Sequence, residues 1–380
     1  MKTRLLFTMV LLLGGLILIH NCKPVQKEHV IGLLMDQYNV ERWAQDTTFF
    51  IAKVKSLGGK VICLSANGNP DRQIEQAKEL IDKKVDILVV LPVDLRKASE
   101  IVKLAKEASI GVISYDRLIE DEDVNYYVSF DNVKVGQLQA DYIKNRLQKG
   151  NVAIIGGAST DKNSFLLQFG QMGILQPYIE RGDIKVVYNK MVDAWSFDAG
   201  YEAAKECLRN YKVDAFIAGN DLLARGAIKA LQERGQAGKV LVAGQDADTQ
   251  AREYIIQGYQ TMSVYKSIED IASNAARMAM DMANGNNIFY ATYTVNNGFK
   301  MVPSLLIDPI SVNKGNIGME IDTRDDRALR VAKGVVELVL SDYPEAALHR
   351  DGGRNELRGV ARHLGVKTSR FIGERHAYEK

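Results

Sequence analysis

Residues 29–35 read HVIGLLM, a continuous apolar run, and a helical pattern follows from Ala44 towards Leu57. Continuous apolar strands followed by helices are typical of parallel sheets that helices cover on both faces. Arg42 and Trp43 lie between the two segments, which predicts that they sit at a strand-to-helix crossover, where open α/β sheets bind ligands. An arginine fork beside an aromatic ring suits a sugar, although a surface arginine next to a packing tryptophan gives the same dipeptide.

The same alternation of apolar runs and helical patterns continues along the chain. Strands are predicted at residues 61–65, 87–91, 112–115, 152–155, 185–188, 215–218 and 240–243. Helices are predicted between them, including residues 72–83, 98–108, 198–210 and 224–234. This order predicts an α/β fold with parallel sheets, and it contains too many strands for one small sheet. We therefore expect two similar halves, with a break near residues 129–132.

Composition and motifs narrow the function. The chain has 380 residues, enough for two domains, and a net charge of +2, which implies no general affinity for nucleic acid or a membrane surface. Cys22, Cys63 and Cys207 form neither a disulfide framework nor a metal spacing. The pair Gly156-Gly157 is too short for a dinucleotide fingerprint, and no phosphate loop is present. We expect no catalytic residue, metal or cofactor, and no enzyme activity.

The first 22 residues have the pattern of an export signal. Lys2 and Arg4 precede an apolar run at residues 5–19, and Cys22 follows closely. This order predicts a signal peptide of the lipoprotein type, with Cys22 lipidated. The residues just before Cys22 are larger than that type prefers, so an ordinary signal peptide and an uncleaved anchor stay open. All three alternatives put the folded body outside the cytoplasmic membrane.

Polar residues follow the predicted strands in both halves. They include Asn67, Asp116, Asn220 and Asp246. The carboxyl ends of parallel strands share one edge of a sheet, where carboxylates and carboxamides could bind a neutral polyol. Each of these residues could instead be a helix cap or a turn residue. The two tryptophans of the chain, one in each half, could stack on a sugar ring or pack in a core.

Seven motifs along the chain resemble one family. They are residues 41–43 (ERW), 65–69 (SANGN), 115–117 (YDR), 129–132 (SFDN), 170–172 (GQM), 244–248 (GQDAD) and 261–266 (TMSVYK). In this order, over residues 29–321, they resemble the periplasmic sugar-binding proteins of the ribose and galactose type, and most nearly those that bind D-xylose for ABC-type importers. The resemblance implies a type I periplasmic binding protein, with two Rossmann-like lobes joined by a three-crossing hinge that closes on the ligand.

The resemblance also implies which residues bind the sugar. The substrate-binding residues would be Arg42, Trp43, Asp116, Arg117, Asn163, Trp195, Asn220, Asp246 and Lys266. The two tryptophans would stack on the two faces of the pyranose. Lys162 departs from the family, which often has a second asparagine there.

The hinge crossings would lie near Asp131-Asn132, Lys266-Ser267 and Asn296-Asn297. The N-terminal lobe would then be residues 28–131 plus 267–296, and the C-terminal lobe 132–266 plus 297–321.

Residues 322–380 do not fit this family. Residues 323–380 contain nine arginines and three lysines, whereas residues 1–322 contain twelve and twenty-five. The spacing of Ala361 and Gly365 is compatible with a helix-turn-helix, but a plain helical hairpin or a basic tail has the same pattern.

Three functions therefore stay open at the level of sequence. The first is a binding protein that delivers D-xylose to an ABC permease. The second is a xylose-sensing lipoprotein that signals to a membrane sensor kinase, and the third is a xylose-responsive transcription regulator.

Overall fold

The chain forms two compact units, each built around its own sheet. A computed structural model describes residues 28–37 and 41–317. Within these residues, the first unit comprises the chain up to Phe130 together with Ile268–Ile307, and the second comprises Asp131–Ser267 and the residues from Asp308. The chain therefore passes between the units three times.

The first unit contains a seven-stranded sheet of order β11-β12-β5-β4-β3-β1-β2. Its strands are β1 (Val30–Met35), β2 (Lys60–Ser65), β3 (Ile87–Val90), β4 (Gly111–Tyr115), β5 (Tyr126–Phe130), β11 (Tyr293–Asn296) and β12 (Met301–Ile307). Its helices are α1 (Glu41–Ser56), α2 (Pro70–Asp82), α3 (Ser99–Glu107) and α9 (Ile268–Ala283). All strand pairs are parallel except β11 with β12.

The second unit contains a six-stranded sheet of order β13-β10-β9-β8-β6-β7. Its strands are β6 (Gly150–Ala158), β7 (Ile184–Val192), β8 (Ala215–Ala218), β9 (Leu241–Ala243), β10 (Met262–Tyr265) and β13 (Ile310–Asn313). Its helices are α4 (Asn132–Leu147), α5 (Lys162–Glu180), α6 (Phe197–Asn210), α7 (Asp221–Glu233) and α8 (Thr249–Gln257). Only β13 pairs antiparallel among these described strands.

Apolar burial and helix capping explain why these segments form these elements. All four residues of β3 and of β8 are buried, as expected for strands that helices cover on both faces. Polar residues after the strands begin the next helices: the side chains of Asp161 and Asn220 cap α5 and α7 by accepting hydrogen bonds from the backbone. Strand ends and helix starts therefore coincide at the carboxyl edge of each sheet, which confirms the predicted α/β class of fold.

Helix α1 begins earlier than the sequence pattern predicts. It starts at Glu41 rather than near Ala44, so Arg42 and Trp43 lie in its first turn and not in the connection before it. The apolar spacing that suggested the start does not fix the first residue of a helix, and such boundaries vary by a few residues.

The predicted third crossing near Asn296-Asn297 is wrong. Strand β12 pairs in parallel with β5, with Ser304 opposite Tyr127 and Ile307 opposite Phe130. Residues up to Ile307 therefore stay in the first unit, and the chain passes to the second unit only before Asp308. The other passages occur between Phe130 and Asp131 and between Ser267 and Ile268.

Two predicted segments lie outside the described residues. These are the signal peptide of residues 1–22, with Cys22, and the tail of residues 322–380. Within residues 28–37 and 41–317, none of the helices is both long and apolar enough to span a membrane.

Candidate functional site

The four site residues predicted in the first unit form one connected cluster. Helix α1 supplies Arg42 and Trp43, and the turn after β4 supplies Asp116 and Arg117. Arg42 donates a hydrogen bond from Nη2 to Oδ2 of Asp116, 74 residues away in sequence. Its Nε lies 3.6 Å from Oδ2 of Asp46. Folding therefore adds Asp116, which is distant in sequence, to the i,i+4 pair that Arg42 forms with Asp46 in the helix.

Arg117 forms a second ion pair in this cluster. Its Nη1 donates to Oδ2 of Asp36 at 2.8 Å and to the carbonyl oxygen of Pro92 at 3.0 Å. The side chain of Arg117 is 14% exposed and that of Asp36 8%. Ion pairs this far from water hold their geometry better than surface pairs do. The two arginines therefore present fixed donors rather than flexible charges.

Trp43 packs between the two arginines. The Cζ of Arg42 lies 4.4 Å from the centroid of its ring, and the Cζ of Arg117 lies 5.7 Å from it. Trp43 is only 6% exposed and belongs to the core cluster that contains Phe50 and Phe130. The ring thus supports the guanidinium groups by cation–π contact, in addition to any contact that it makes with a ligand.

The backbone around Asp116 holds its carboxylate in place. Asp116 has φ of 61°, a left-handed conformation that side chains rarely adopt. Its amide donates to the carbonyl oxygen of Val128 at 2.8 Å, and its own carbonyl oxygen accepts from Tyr127 Oη at 2.9 Å and Ser129 Oγ at 2.7 Å. Strained residues persist where surrounding contacts fix them, and they are concentrated at functional sites.

Asp46 is also held by a buried phenol. Tyr115 donates its hydroxyl to Oδ1 of Asp46. Burial, together with the charge of Asp46, raises the pKa of Tyr115 well above its usual value, so the phenol stays protonated. The hydroxyl therefore acts as a hydrogen-bond donor that fixes Asp46 beside Arg42.

In the second unit, Trp195 rests on two glycines. A Cβ added to Gly157 would lie 2.0 Å from Cη2 of Trp195, and one added to Gly219 would lie 2.9 Å from its Cζ3. The indole Nε1 donates to Oδ2 of Asp161 at 3.2 Å. The same carboxylate accepts through Oδ1 from the backbone amide of Asn163 at 2.9 Å. Asp161 therefore links two of the predicted site residues.

Asn163 belongs to a chain of buried amides. Its Oδ1 accepts from Nδ2 of Asn132 at 2.9 Å. Asn163 is 8% exposed and Asn132 4%. This bond orients the Asn163 side chain, whose amide nitrogen is a donor and whose oxygen is an acceptor.

The last three predicted residues lie at the ends of β8, β9 and β10. Lys266 places Nζ 3.1 Å from Oδ1 of Asp246, with the two side chains 6% and 26% exposed. Asn220 accepts from the amide of Leu223 at 3.0 Å through Oδ1, which leaves its Nδ2 as a donor. This edge therefore combines a carboxylate acceptor with ammonium and amide donors, the groups that recognise hydroxyls.

Several residues of these clusters were not predicted from the sequence. Asp36 and Asp46 pair with the arginines, Asp161 orients Trp195, and Gly157 makes room for its ring. Asp36 directly follows the first apolar run and Asp161 begins a helix, so their positions gave a signal. For Gly157 the sequence offers only a glycine pair, which is too short for a dinucleotide fingerprint and does not indicate a contact with a ring.

Two surface cavities of the described residues lie away from the predicted site residues. A surface cavity of about 610 Å³ in the second unit is lined by residues that include Lys144 and Tyr178. Another of about 240 Å³ in the first unit is lined by residues that include Lys106 and Asp123. Neither is lined by a predicted site residue, and both are open surface depressions. Within the described part of the chain, acidic residues, histidines and cysteines form no group suited to a metal ion.

Comparison with known proteins decides the family. Residues 31–287 match the family described as "Periplasmic binding protein domain". The chain belongs to this family of periplasmic binding proteins. It is a family of sugar-binding transport proteins rather than of enzymes.

Two relatives are similar over almost their whole length. The D-xylose-binding periplasmic protein of Escherichia coli (strain K12) is 43% identical over 303 residues, which are 79% of this chain and 92% of the relative. The protein of the same name from Haemophilus influenzae is 42% identical over 81% of this chain and 93% of the relative.

Solved structures agree with the family. A solute-binding protein of an ABC transporter from Clostridium phytofermentans, with bound β-D-glucose, has a TM-score of 0.72 and 27% identity. This likeness covers 78% of this chain and 97% of that one. A carbohydrate transporter solute-binding protein from Chloroflexus aurantiacus, in complex with D-glucose, has a TM-score of 0.73 and 27% identity over 79% of this chain and 97% of that one. The predicted type I fold is thereby confirmed.

Proposed function

We propose that this protein captures D-xylose outside the cytoplasmic membrane and delivers it to an ABC-type importer. The observation that carries the proposal is the 43% identity to the D-xylose-binding periplasmic protein of Escherichia coli over 92% of that protein. The two clusters described above supply matching chemistry, because each combines carboxylate acceptors with fixed cationic or amide donors beside a tryptophan. A neutral sugar needs such groups for its hydroxyls and an aromatic ring for its C–H face.

Both units carry predicted binding groups. Arg42, Asp116 and Arg117 would bind hydroxyls from the first unit, and Asn163, Asn220, Asp246 and Lys266 from the second. As the family resemblance implies, binding of the sugar would be coupled to closure of the hinge. A closed form that differs in shape from the open one gives the importer a signal that sugar is bound.

Specificity for a pentose has a simple steric basis. A pentopyranose lacks the exocyclic CH2OH group of a hexose, so a pocket closed at that point excludes hexoses by clash. Discrimination through one such group is worth about 1–3 kcal/mol when it depends on packing alone. We therefore expect D-xylose to bind best, and hexoses with the same ring hydroxyls to bind more weakly.

A panel of sugars in a thermal-shift assay tests this proposal. A ligand that binds only the native state raises the melting temperature, and a concentration of about 1,000 times Kd adds about 4 kcal/mol of stability. We expect the largest shift with D-xylose and smaller shifts with D-ribose, D-glucose and D-galactose. A response to ribose or galactose without one to xylose would show that D-xylose is not the ligand. The absence of a response to any sugar would contradict the proposed sugar-binding function.

The proposed location is the periplasm or the outer face of the cytoplasmic membrane, with a lipid anchor on Cys22. The family supports a periplasmic location, and the anchor rests on the sequence of residues 1–22 alone. Replacing Cys22 by alanine is expected to move the protein from the membrane fraction to the soluble extracytoplasmic fraction. An unchanged distribution would show that the cysteine is not an anchor. The sensor-kinase and transcription-regulator alternatives gain no support from the two D-xylose-binding relatives.

A further inference from the structure

The loop after β9 has a backbone that needs outside support. It carries Asp246, and both Asp246 and the following Ala247 have positive φ, at 96° and 51°. Neither residue is a glycine, so two successive residues adopt a conformation that costs free energy. Such a loop keeps one conformation only where its surroundings fix it. The position of the Asp246 carboxylate therefore depends on the groups that hold this loop.

Three successive amides of the loop are held by three different acceptors. The amide of Asp246 donates to the carbonyl oxygen of Val264 at 2.8 Å. The amide of Ala247 donates to Oγ of Ser263 at 3.0 Å, and the amide of Asp248 donates to Oδ2 of Asp221 at 3.2 Å. Two of the three acceptors are side chains, and they touch each other.

Asp221 orients the other side chain as well. Ser263 Oγ lies 2.9 Å from both carboxylate oxygens of Asp221. Because Ser263 accepts the amide hydrogen of Ala247, its own hydrogen points to Asp221. Gln260 donates to Oδ1 of Asp221 at 2.7 Å and completes the set of donors. One carboxylate therefore accepts from every neighbour and fixes the direction of each hydrogen bond.

Asp221 also reaches the beginning of the loop. Its amide donates to the carbonyl oxygen of Gln245 at 2.9 Å. A Cβ added to Gly244 would lie 2.1 Å from Oδ1 of Asp221, so only a glycine allows this approach. Asp221 is 1% exposed. Its burial, with the nearby charges of Asp248 and Asp246, raises its pKa well above its usual value, whereas the hydrogen bonds from Gln260 and Ser263 lower it and so favour the charged carboxylate that accepts them. Residues whose pKa is strongly shifted by burial and neighbouring charges are concentrated at functional sites.

We propose that Asp221 is a positioning residue for sugar binding, which fixes the strained loop so that Asp246 faces Lys266. This inference rests on the proposed function. Asp221 itself is too buried to touch a ligand, and it acts through Ser263 and the amide of Asp248. The contact of Asp246 with Lys266, 3.1 Å between Oδ1 and Nζ, is the geometry that it maintains.

Calorimetric titration of D-xylose into five variants, one of them a control, tests the inference. Asp221→Asn puts an amide group among donors that all point inward, and we expect it to weaken binding about tenfold or more. Asp246→Asn is expected to weaken binding by a similar factor. In the double variant, Asp221→Asn should add less than about a twofold further loss, because the residue that it positions is already impaired. An effect of Asp221→Asn on binding that does not act through Asp246 would give the full loss again.

Ser263→Ala is an independent variant, since it removes one acceptor that holds the loop without changing a charge. We expect it to weaken binding in the same direction as Asp221→Asn, and it carries the test if that variant does not fold. Asp214→Asn is the matched control: its carboxylate accepts from the amide of Asn151 at 2.8 Å, away from the loop, and xylose affinity should not change.

The outcomes separate this inference from the proposed function. Folded Asp221→Asn and Ser263→Ala proteins with wild-type affinity would overturn the inference alone, provided that Asp246→Asn binds weakly. An equal loss from Asp221→Asn with and without Asp246→Asn would also overturn it. Normal xylose binding by Asp246→Asn would overturn both the site and the inference.

Discussion

Replacing Arg42 by alanine is expected to weaken D-xylose binding about 100-fold. The guanidinium of Arg42 bonds Asp116 and lies 3.6 Å from Asp46, and these carboxylates are only 4% and 1% exposed. Its removal leaves two buried charges without their cation and deletes donors to the sugar. Loss of hydrogen bonds from a charged donor to a ligand costs about 1.5–3 kcal/mol, and each 1.4 kcal/mol is about a tenfold change in Kd.

Titration calorimetry measures this effect, and two further variants make the result specific. Arg42→Lys keeps the charge but loses the planar fork, so we expect an intermediate loss. Arg96→Ala is the control, because Arg96 is in the same unit, its side chain is 82% exposed and it only approaches Glu120 at 3.7 Å. Binding by folded Arg42→Ala within about threefold of wild type would remove Arg42 from the site.

The edge of each sheet that carries the site could be predicted from the sequence. Asp116 follows β4, Asn220 follows β8, and Lys266 follows β10. A polar residue after a buried apolar strand lies at the carboxyl edge whatever the strand order is. The local pattern therefore located the candidate residues without any knowledge of which strands pair.

Contacts between distant residues could not be predicted in this way. The bond of Arg42 to Asp116 joins residues 74 positions apart. Asp221 looks in the sequence like an ordinary acidic residue in the first turn of a helix, which suits the helix dipole. Its burial and its partners Gln260 and Ser263 arise only because β9 and β10 pack beside it.

The predicted position of the third crossing was wrong for the same reason. Residues 301–307 form strand β12, but the local sequence does not show which sheet a strand joins. The parallel pairing of β12 with β5 joins two segments that are far apart in sequence. Such pairing is decided by tertiary packing, to which periodicity is blind.

The second large effect concerns the tryptophan of the second unit. Gly157→Ala is expected to weaken D-xylose binding by roughly the same factor as Trp195→Ala, on the order of 100-fold for both. The new Cβ would lie 2.0 Å, 2.2 Å and 2.4 Å from Cη2, Cζ2 and Cζ3 of Trp195. Gly219 also lies against this ring, since a Cβ added there would be 2.9 Å from Cζ3. The ring must therefore leave its position, and its bond to Asp161 with it.

A double variant separates displacement of the ring from damage to the fold. In a Trp195→Ala background the new methyl group of Gly157→Ala meets no ring, so we expect no further loss of affinity from it. Gly173→Ala is the control, since it adds the same methyl group in α5 where nothing lies within 4 Å of the new Cβ. In a helix this change should stabilise the protein by about 0.5–1 kcal/mol and leave binding unchanged. If folded Gly157→Ala binds xylose within about threefold of wild type, the position of the ring does not depend on Gly157, and the same result for Trp195→Ala would remove Trp195 from the site.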